Sequence, residues 1–377
     1  MTEIHGHEDV RRDLTAAVRR GELPGSLLIH GPAGVGRQTL ARWLARRRGC
    51  ASPDESGPCG ECRGCRLALD LQHPDIHWFF PLPRPKGVSD PQRLAEALED
   101  ARYQALADRR DAPLYRPSGD EPVGLYLAQV RTIRKLGSTR PAMASRQVFI
   151  VGDSELLVPQ EASEEAANAL LKVLEEPPPA TTFILTAGDP ERLLPTVRSR
   201  LLPVRLRPFA EDEVRRFLEE RAGVEPRMAG RAARLGQGSI GRALAFLPGD
   251  GEPSRAEEQR ATAREWLEAV LASSPARRYA AAHAQRPVGA RGSFAETLDF
   301  LALWLRDLAA VAAGAEGEVV DDDALDRLRG LARGVRQDRI PEAIRTVQEA
   351  RDAGRINANP QLTLATLLNR LAALLRR

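Results

Sequence analysis

Lysine is nearly absent from this chain: of 55 basic residues, only Lys86, Lys135 and Lys172 are lysines. That skew reads first as a coding bias of a GC-rich genome. With 52 acidic residues the net charge is only +3, so bulk charge does not argue for nucleic-acid binding, and a local basic face is all that is left open. Aromatic residues make up 5%, too few for a base-stacking platform along a single strand. No stretch approaches the roughly 18 uninterrupted apolar residues of a spanning helix. The opening MTEIHGHEDVRRDL has no apolar signal core, and the expected location is the cytoplasm, with no membrane partner. Cysteine is scarce as well: the four present all fall between positions 50 and 65. In a reducing compartment such a cluster reads as a metal site and not as a disulfide framework.

What is present is the balance of a soluble globular protein, 42% hydrophobic and 28% charged over 377 residues, long enough for two or three domains. Residues 1–207 alternate short apolar runs with helical stretches, the signature of an α/β layer with a mostly parallel sheet. Strands are predicted at Ser26–His30, Asp75–Phe80, Val148–Val151 and Thr182–Thr186. Helices are predicted at Thr39–Arg47, Leu125–Leu136 and Ser163–Glu176. Residues 81–122, rich in Pro, Arg and Asp with a helical patch at Pro91–Asp108, read as an insertion or mobile excursion from the sheet. From Pro208 the strand signal stops. Residues 208–250 read as a small helical domain, Pro248–Ser254 as a linker, and 255–377 as an all-helical domain with Pro341 at a favoured first helical position.

Gly31-Pro32-Ala33-Gly34-Val35-Gly36-Arg37-Gln38-Thr39 follows a strand and opens a helix, the setting of a phosphate-binding loop. The pattern G-x-x-x-x-G-K-[ST] is met at its glycines and broken at both chemical positions. Arg37 stands where Lys reaches the phosphates, and Gln38 where a hydroxyl holds Mg²⁺. Thr39 lies one place late, about 100° around the helix. A hydrolytic protein of this type also needs an Asp-Glu pair ending a strand. Here VFIV runs into Gly152-Asp153-Ser154-Glu155, which puts Gly152 at the metal position and the shorter Asp153 at the water position. Phosphoryl transfer rests on metal-mediated charge neutralisation and a positioned water. The expectation is a loop that keeps its shape, binds ATP weakly at best and does not turn it over; taken alone, Gly31–Gly36 also reads as a plain strand-to-helix turn.

Cys50, Cys59, Cys62 and Cys65 follow C-x₈-C-x₂-C-x₂-C, with glycines where a tight turn needs them. Four close thiolates suit a closed tetrahedral Zn²⁺ site. An iron–sulfur cluster also takes four thiolates, but the ferredoxin run spaces its last Cys three residues on and follows it with Pro, and neither feature is present. Unmetallated thiols are the other alternative. His73, the nearest histidine, reads as an ordinary loop residue.

A strand, a defective phosphate loop and a four-cysteine insertion after the first helix, in that order, resemble the bacterial clamp-loader family. Residues 163–179, SEEAANALLKVLEEPPP, are by chemistry an amphipathic helix with Ser163 as cap, Glu164 and Glu165 at its positive end, and Ala166, Ala167, Leu170, Leu171 and Leu174 on one face. Its string NALLKVLEEPP is close to a clamp-loader signature. TTFILTAGDP (181–190) resembles the family's sensor-1 strand, Val197-Arg198-Ser199-Arg200 its Ser-Arg-Cys motif with Leu201 in place of Cys, and QGSIGRAL (237–244) its sensor-2 segment. The matches are dense over 20–245 and thin beyond, to a helical pattern plus NANPQL at 357–362.

The resemblance implies an AAA+ core with a RecA-like parallel sheet and a zinc module (1–207, with 50–65), a helical lid (208–250) and a C-terminal helical collar (255–377). It implies a non-hydrolysing subunit in a hetero-pentamer with gamma/tau motor subunits and the delta subunit. Such a subunit helps to place a sliding clamp on primed DNA, belongs to a polymerase complex and carries no polymerase site itself. Arg200 then becomes a trans arginine finger for a neighbour's ATP site, and Arg242 a weaker candidate for nucleotide sensing, otherwise helix surface. Two other readings stay open: an active motor subunit of the gamma/tau type, and a stand-alone zinc-dependent DNA-binding protein.

Overall fold

The computed structural model describes residues 4–112, 123–157, 165–248, 254–285, 291–320, 322–355 and 359–376. It divides into two compact units. One holds the described residues up to 112 together with Val123–Ala210 and Gly238–Gly241. The other holds Glu211–Gln237 and the described residues from Arg242 onward.

The first unit is built on a five-stranded parallel sheet. Its strands are β1 (Ser26–His30), β2 (Ile76–Phe79), β5 (Gln147–Val151), β6 (Thr181–Ala187) and β7 (Leu202–Arg205), in the order β2-β5-β6-β1-β7. A separate antiparallel pair joins β3 (Leu82–Pro83) to β4 (Val123–Gly124). The sheet is the AAA+ core that the resemblance implies. SLLIH, QVFIV and TTFILTA are near-continuous apolar runs because both faces of these strands are covered, and β5 and β6 are buried throughout. Alternate residues go to opposite faces. Leu27, Ile29, Ile150 and Ile184 join Leu40 and Leu44 in one core cluster, while Leu28, Phe149, Phe183 and Leu185 join Val130 and Leu170 in the other.

The first cluster lies under α1 (Glu8–Arg20) and α2 (Arg37–Arg48), the second under α5 (Leu127–Gly137) and α6 (Glu165–Glu175). α3 (Arg63–Leu69) follows the cysteine turn. On α6 the structure buries Ala166, Ala167, Leu170 and Leu174 as the pattern predicts. It adds Val173 and leaves Leu171 half-buried.

Two elements differ from the sequence reading. Strand β7 has no signal in LPVR; among the described residues it is an edge strand paired with β1 alone, a position in a sheet where a proline such as Pro203 is tolerated. Helix α1 is anchored by Glu8 and Asp9 in its first turn, Arg19 and Arg20 in its last, and Gly21 in the left-handed conformation at its end. The described part of 81–122 is an insertion packed on the core, with a helix between β3 and β4. Helix α4 (Pro91–Asp111), capped by Asp90, buries Leu98, Arg102 and Leu106. Its arginines stack on the aromatic rings of β2 and the residue beyond it: Arg102 lies 4.7 Å from the Phe79 ring centroid and Arg109 3.8 Å from that of Phe80.

The second unit is helical. α8 (Glu211–Ala222) and α9 (Pro226–Gly236) pack on each other through Val214, Leu218, Ala229 and Ala233. After the short α10 (Ile240–Ala245) come α11 (Arg255–Leu271), α12 (Pro275–Ala284), α13 (Arg291–Ala312), α14 (Leu325–Ala332), α15 (Ile340–Arg355) and α16 (Pro360–Leu375). Their core contains Trp266, Leu267, Leu298, Leu301, Trp304, Val347, Leu364 and Leu368. Pro341 is the second residue of α15, where a missing N–H still costs no helical bond. The cap at Ser163, Glu164, residues 249–253 of the linker, 113–122, and Asn357 with Ala358 lie outside the described residues. No helix among the described residues is long and apolar enough to cross a membrane.

Candidate functional site

The ends of β1, β5 and β6 meet at the carboxyl edge of the sheet, where open α/β folds place ligands. The loop leaving β1 needs glycine at its first position. Gly31 has φ of +151°, and a Cβ there would lie 2.5 Å from the Leu206 carbonyl oxygen. Gly34 and Gly36 are also left-handed, and Gly36 caps α2. The loop's carbonyls are taken up by the chain itself. Ser239 Oγ donates to Ala33 O at 2.8 Å, Gly241 N to Gly34 O at 2.8 Å, and His7 Nε2 to Val35 O at 2.9 Å.

Arg37 and Gln38 both turn to Asp153. Arg37 Nη2 donates to Asp153 Oδ1 at 3.0 Å, and Gln38 Nε2 to Asp153 Oδ2 at 2.8 Å. Arg37 Nη1 lies 3.9 Å from Glu155 Oε1, which accepts the N–H of Gly188 at 2.7 Å. The Gln38 amide rests on Gly152 so closely that a Cβ there would be 3.0 Å from it. A side chain at 152, the metal position of an active pocket, would need the Gln38 amide to shift by a few tenths of an ångström.

Asp153 is held with φ of +46° by its N–H bond to Thr186 Oγ1, a backbone cost of about 1 kcal/mol that the surroundings must offset. Burial pushes the carboxyls of Asp153 and Glu155 above their ordinary range. Arg37 and Gln38 oppose this at Asp153; at Glu155, Asp153 adds to it while the N–H of Gly188 and Arg37 oppose it. His30, at the end of β1, is held below the usual imidazole value by burial and by Arg205 and Arg37. Each carboxylate of this cluster therefore has protein donors, and the guanidinium occupies the space between them. The residues that sequence reasoning missed here are Glu155, Gly188, Ser239 and Gly241. An arginine at the loop's lysine position does call for counter-ions, and the acidic GDSE run after a strand was the available signal for one of them.

The four cysteines come together on one knuckle. Their Sγ atoms all lie within 4.8 Å of one another and can hold a metal ion. Cys50 to Cys59 is 3.5 Å, Cys59 to Cys65 3.9 Å and Cys62 to Cys50 4.0 Å. Tetrahedral thiolates about 2.3 Å from zinc sit about 3.8 Å apart, so the donor set fits. Backbone N–H groups of Cys59, Cys62 and Cys65 donate to the sulfurs of Cys50, Cys59 and Cys62 at 3.3–3.4 Å. Gly64 is required: a Cβ there would lie 2.4 Å from Gly49 O, where α3 abuts the end of α2.

The thiols differ in acidity. Burial opposes ionisation of Cys62, yet N–H groups of Ala51 and Cys65 and the neighbouring thiols outweigh it and bring the pKa to about 6. The N–H groups of Cys62 and Glu61 lower Cys59, while burial raises Cys65 and Cys50. A bound cation would favour the thiolate form in all four. His73 is not an exposed loop residue. It is 4% exposed, accepts the N–H of Asp75 on Nδ1 at 3.0 Å and packs beneath Gly49, outside the thiol group.

Arg200 belongs to neither cluster. It follows α7 (Pro195–Arg198), whose Val197 is buried with Leu193 and Leu201 in the core under α6. Leu201 thus fills the cysteine place of the motif as a packing residue and leaves Arg200 at the surface, 36% exposed. Arg242 is half-buried, its pKa lowered by burial and raised by Asp299 within the helical unit.

Fold and site together define an AAA+ core of the P-loop type whose loop is filled by its own side chains and whose first helix leads into a thiol knuckle. The chain belongs to the DNA polymerase III delta subunit family: the family described as "DNA polymerase III, delta subunit" matches residues 6–210, and "DNA polymerase III, delta subunit, C terminal" matches 259–373. The delta-prime subunit of Escherichia coli K12 DNA polymerase III is 31% identical over 242 residues, 64% of this chain and 60% of that protein. The delta-prime subunit of Pseudomonas aeruginosa is 32% identical over 48% of this chain and 42% of its own length. The gamma/tau subunit of Mycobacterium tuberculosis is 29% identical over 55% of this chain and 29% of its own length. The aligned region therefore spans less than two thirds of each of these relatives. A gamma-subunit-related protein of Thermotoga maritima, a solved structure, aligns over 96% of this chain and 99% of its own at 16% identity, with a TM-score of 0.36. The clamp-loader resemblance read from the defective loop, the four cysteines, NALLKVLEEPP and the Ser-Arg segment is borne out.

Proposed function

We propose that this chain is the non-hydrolysing subunit of a bacterial replicative clamp loader. It would work in a hetero-pentamer with gamma/tau motor subunits and the delta subunit, in the cytoplasm, to help load the sliding clamp on primed DNA. The observation that carries the reading is the Arg37–Asp153–Gln38 cluster. The carboxylate nearest the water position is bound to the residues that stand where phosphate and Mg²⁺ ligands belong. With Asp153 committed on both oxygens to Arg37 and Gln38, the carboxylate that would hold Mg²⁺ or polarise water is engaged, which removes a requirement of phosphoryl transfer.

In this reading Cys50, Cys59, Cys62 and Cys65 bind structural Zn²⁺, and Gly31, Gly34, Gly36 and Arg37 form a loop kept for its shape. The chain is organised as core (1–207), lid (208–250) and collar (255–377). Arg200 supplies positive charge to the ATP site of a neighbouring motor subunit. The test is ATP hydrolysis by the purified chain alone, then by the complex reconstituted with motor and delta subunits on primed DNA. The chain alone should be silent. Arg200→Ala should leave assembly intact and cut turnover at the site it serves by about 10³-fold or more. Turnover by the isolated chain would make it a motor subunit, and an Arg200→Ala complex with the wild-type rate would remove the arginine-finger role.

A further inference from the structure

We infer that Glu175 is the positioning residue of Arg200, holding its guanidinium in the direction in which it is presented; the inference rests on the arginine-finger reading above. Helix α6 ends at Glu175, and Pro177, Pro178 and Pro179 prevent its continuation. The carboxylate thus sits at the negative end of the helix, a place that favours a cation. Arg200 Nη2 donates to Glu175 Oε1 at 2.5 Å, and Nη1 donates to Thr196 O at 2.7 Å, with Ser199 Oγ at 3.4 Å from the same nitrogen.

Two elements therefore grip one side chain. α6 supplies the charge and α7 the carbonyl, and both are anchored in the same core by Leu170, Leu174, Val197 and Leu201. An arginine side chain gives up rotamer freedom when it is fixed. A finger already fixed by its own chain gives up less on meeting an anion across an interface. Three of the five guanidinium donors are used internally, which leaves two for an incoming phosphate. Glu175 touches neither nucleotide nor metal in this scheme and acts only through Arg200.

The pair is partly exposed, 36% and 40%, so its loss should be worth about fivefold in rate. Two measurements separate the inference from the reading beneath it. In the purified full chain, modification of Arg200 by phenylglyoxal, read by peptide mass spectrometry, should quicken about fivefold in Glu175→Ala, with exposed Arg93 as the internal control. In the reconstituted complex, Glu175→Ala should lower kcat about fivefold with KM for ATP unchanged, and Glu175→Asp should recover part of the loss. The double variant with Arg200→Ala should be no slower than Arg200→Ala alone. An unchanged modification rate overturns the inference. So does a Glu175→Ala complex at the wild-type rate when Arg200→Ala is slow, and the finger role then stands. An Arg200→Ala complex at the wild-type rate overturns the finger role and with it the catalytic meaning of the pair.

Discussion

Replacing Arg37 with Ala should destabilise the first unit in a pH-dependent way. Arg37 and Glu155 are 10% and 9% exposed, and Asp153 is 32% exposed. Deleting one partner of a fully buried pair costs about 3–5 kcal/mol. Water reaching Asp153 screens part of that, so a loss of about 2–3 kcal/mol is expected here. In a unit of about 200 residues this corresponds to a fall of about 4–12 °C in Tm. Burial already holds both carboxyls above their ordinary values of 3.8 and 4.5. For such an acid the fold favours the neutral form. The penalty of ionisation is absent below the unfolded value and complete above the folded one. Losing Arg37 enlarges that penalty, so the deficit relative to wild type should be greatest near neutrality and shrink as pH falls through the raised values. Calorimetry at neutral and mildly acidic pH measures it, and adding Asp153→Asn should recover part of the loss. A Tm within about 1 °C of wild type at neutral pH, or a deficit equal at both pH values, would refute the argument.

Asp75 is 1% exposed and accepts the N–H groups of Ala142, Met143 and Ala144 at 2.6–2.7 Å. Asp75→Asn should cost about 2–4 kcal/mol by urea unfolding, since bonds to a charged acceptor are worth about 1.5–3 kcal/mol each. Burial works against the Asp75 carboxylate, but the three N–H donors outweigh it and depress its pKa. Its contribution should therefore be present above the unfolded value of 3.8 and fade as pH falls, and an undiminished contribution in acid would contradict this. At the knuckle, elemental analysis should find about one zinc per chain, lost in Cys62→Ser together with several degrees of Tm. A metal-free wild type with the same Tm would exclude a structural metal.

Much of the sheet was legible because its central strands carry a strong local signal: SLLIH, VFIV and TFILT are apolar on both faces, and no helix of that length competes. β7 was not, since LPVR owes its strand to an edge beside β1 that only the folded chain provides. The four cysteines could be placed together by spacing alone, because they fall within one short segment and their Sγ atoms meet on it. The loop residues Gly31, Gly34, Gly36 and Arg37 were placed by the same local logic. What Arg37 does was hidden, since its partners lie 116 and 118 positions away and Ser239 and Gly241 reach the loop from beyond 200 residues. Glu175 was visible only as a helix end; its meaning depends on where α7 docks.

The guanidinium lodged between Asp153 and Glu155 also bears on mass action. A P-loop protein that takes its countercharge from Mg²⁺-nucleotide gains stability as RT ln(1 + [L]/Kd), and its folded population follows the cellular nucleotide supply. A chain with a permanent cation at that point needs no nucleotide-borne countercharge there, because Arg37 already lies between Asp153 and Glu155. In the clamp loader proposed above, motor neighbours would bind and release nucleotide while this subunit kept its own countercharge, a fixed reference against which their cyclic changes would be made.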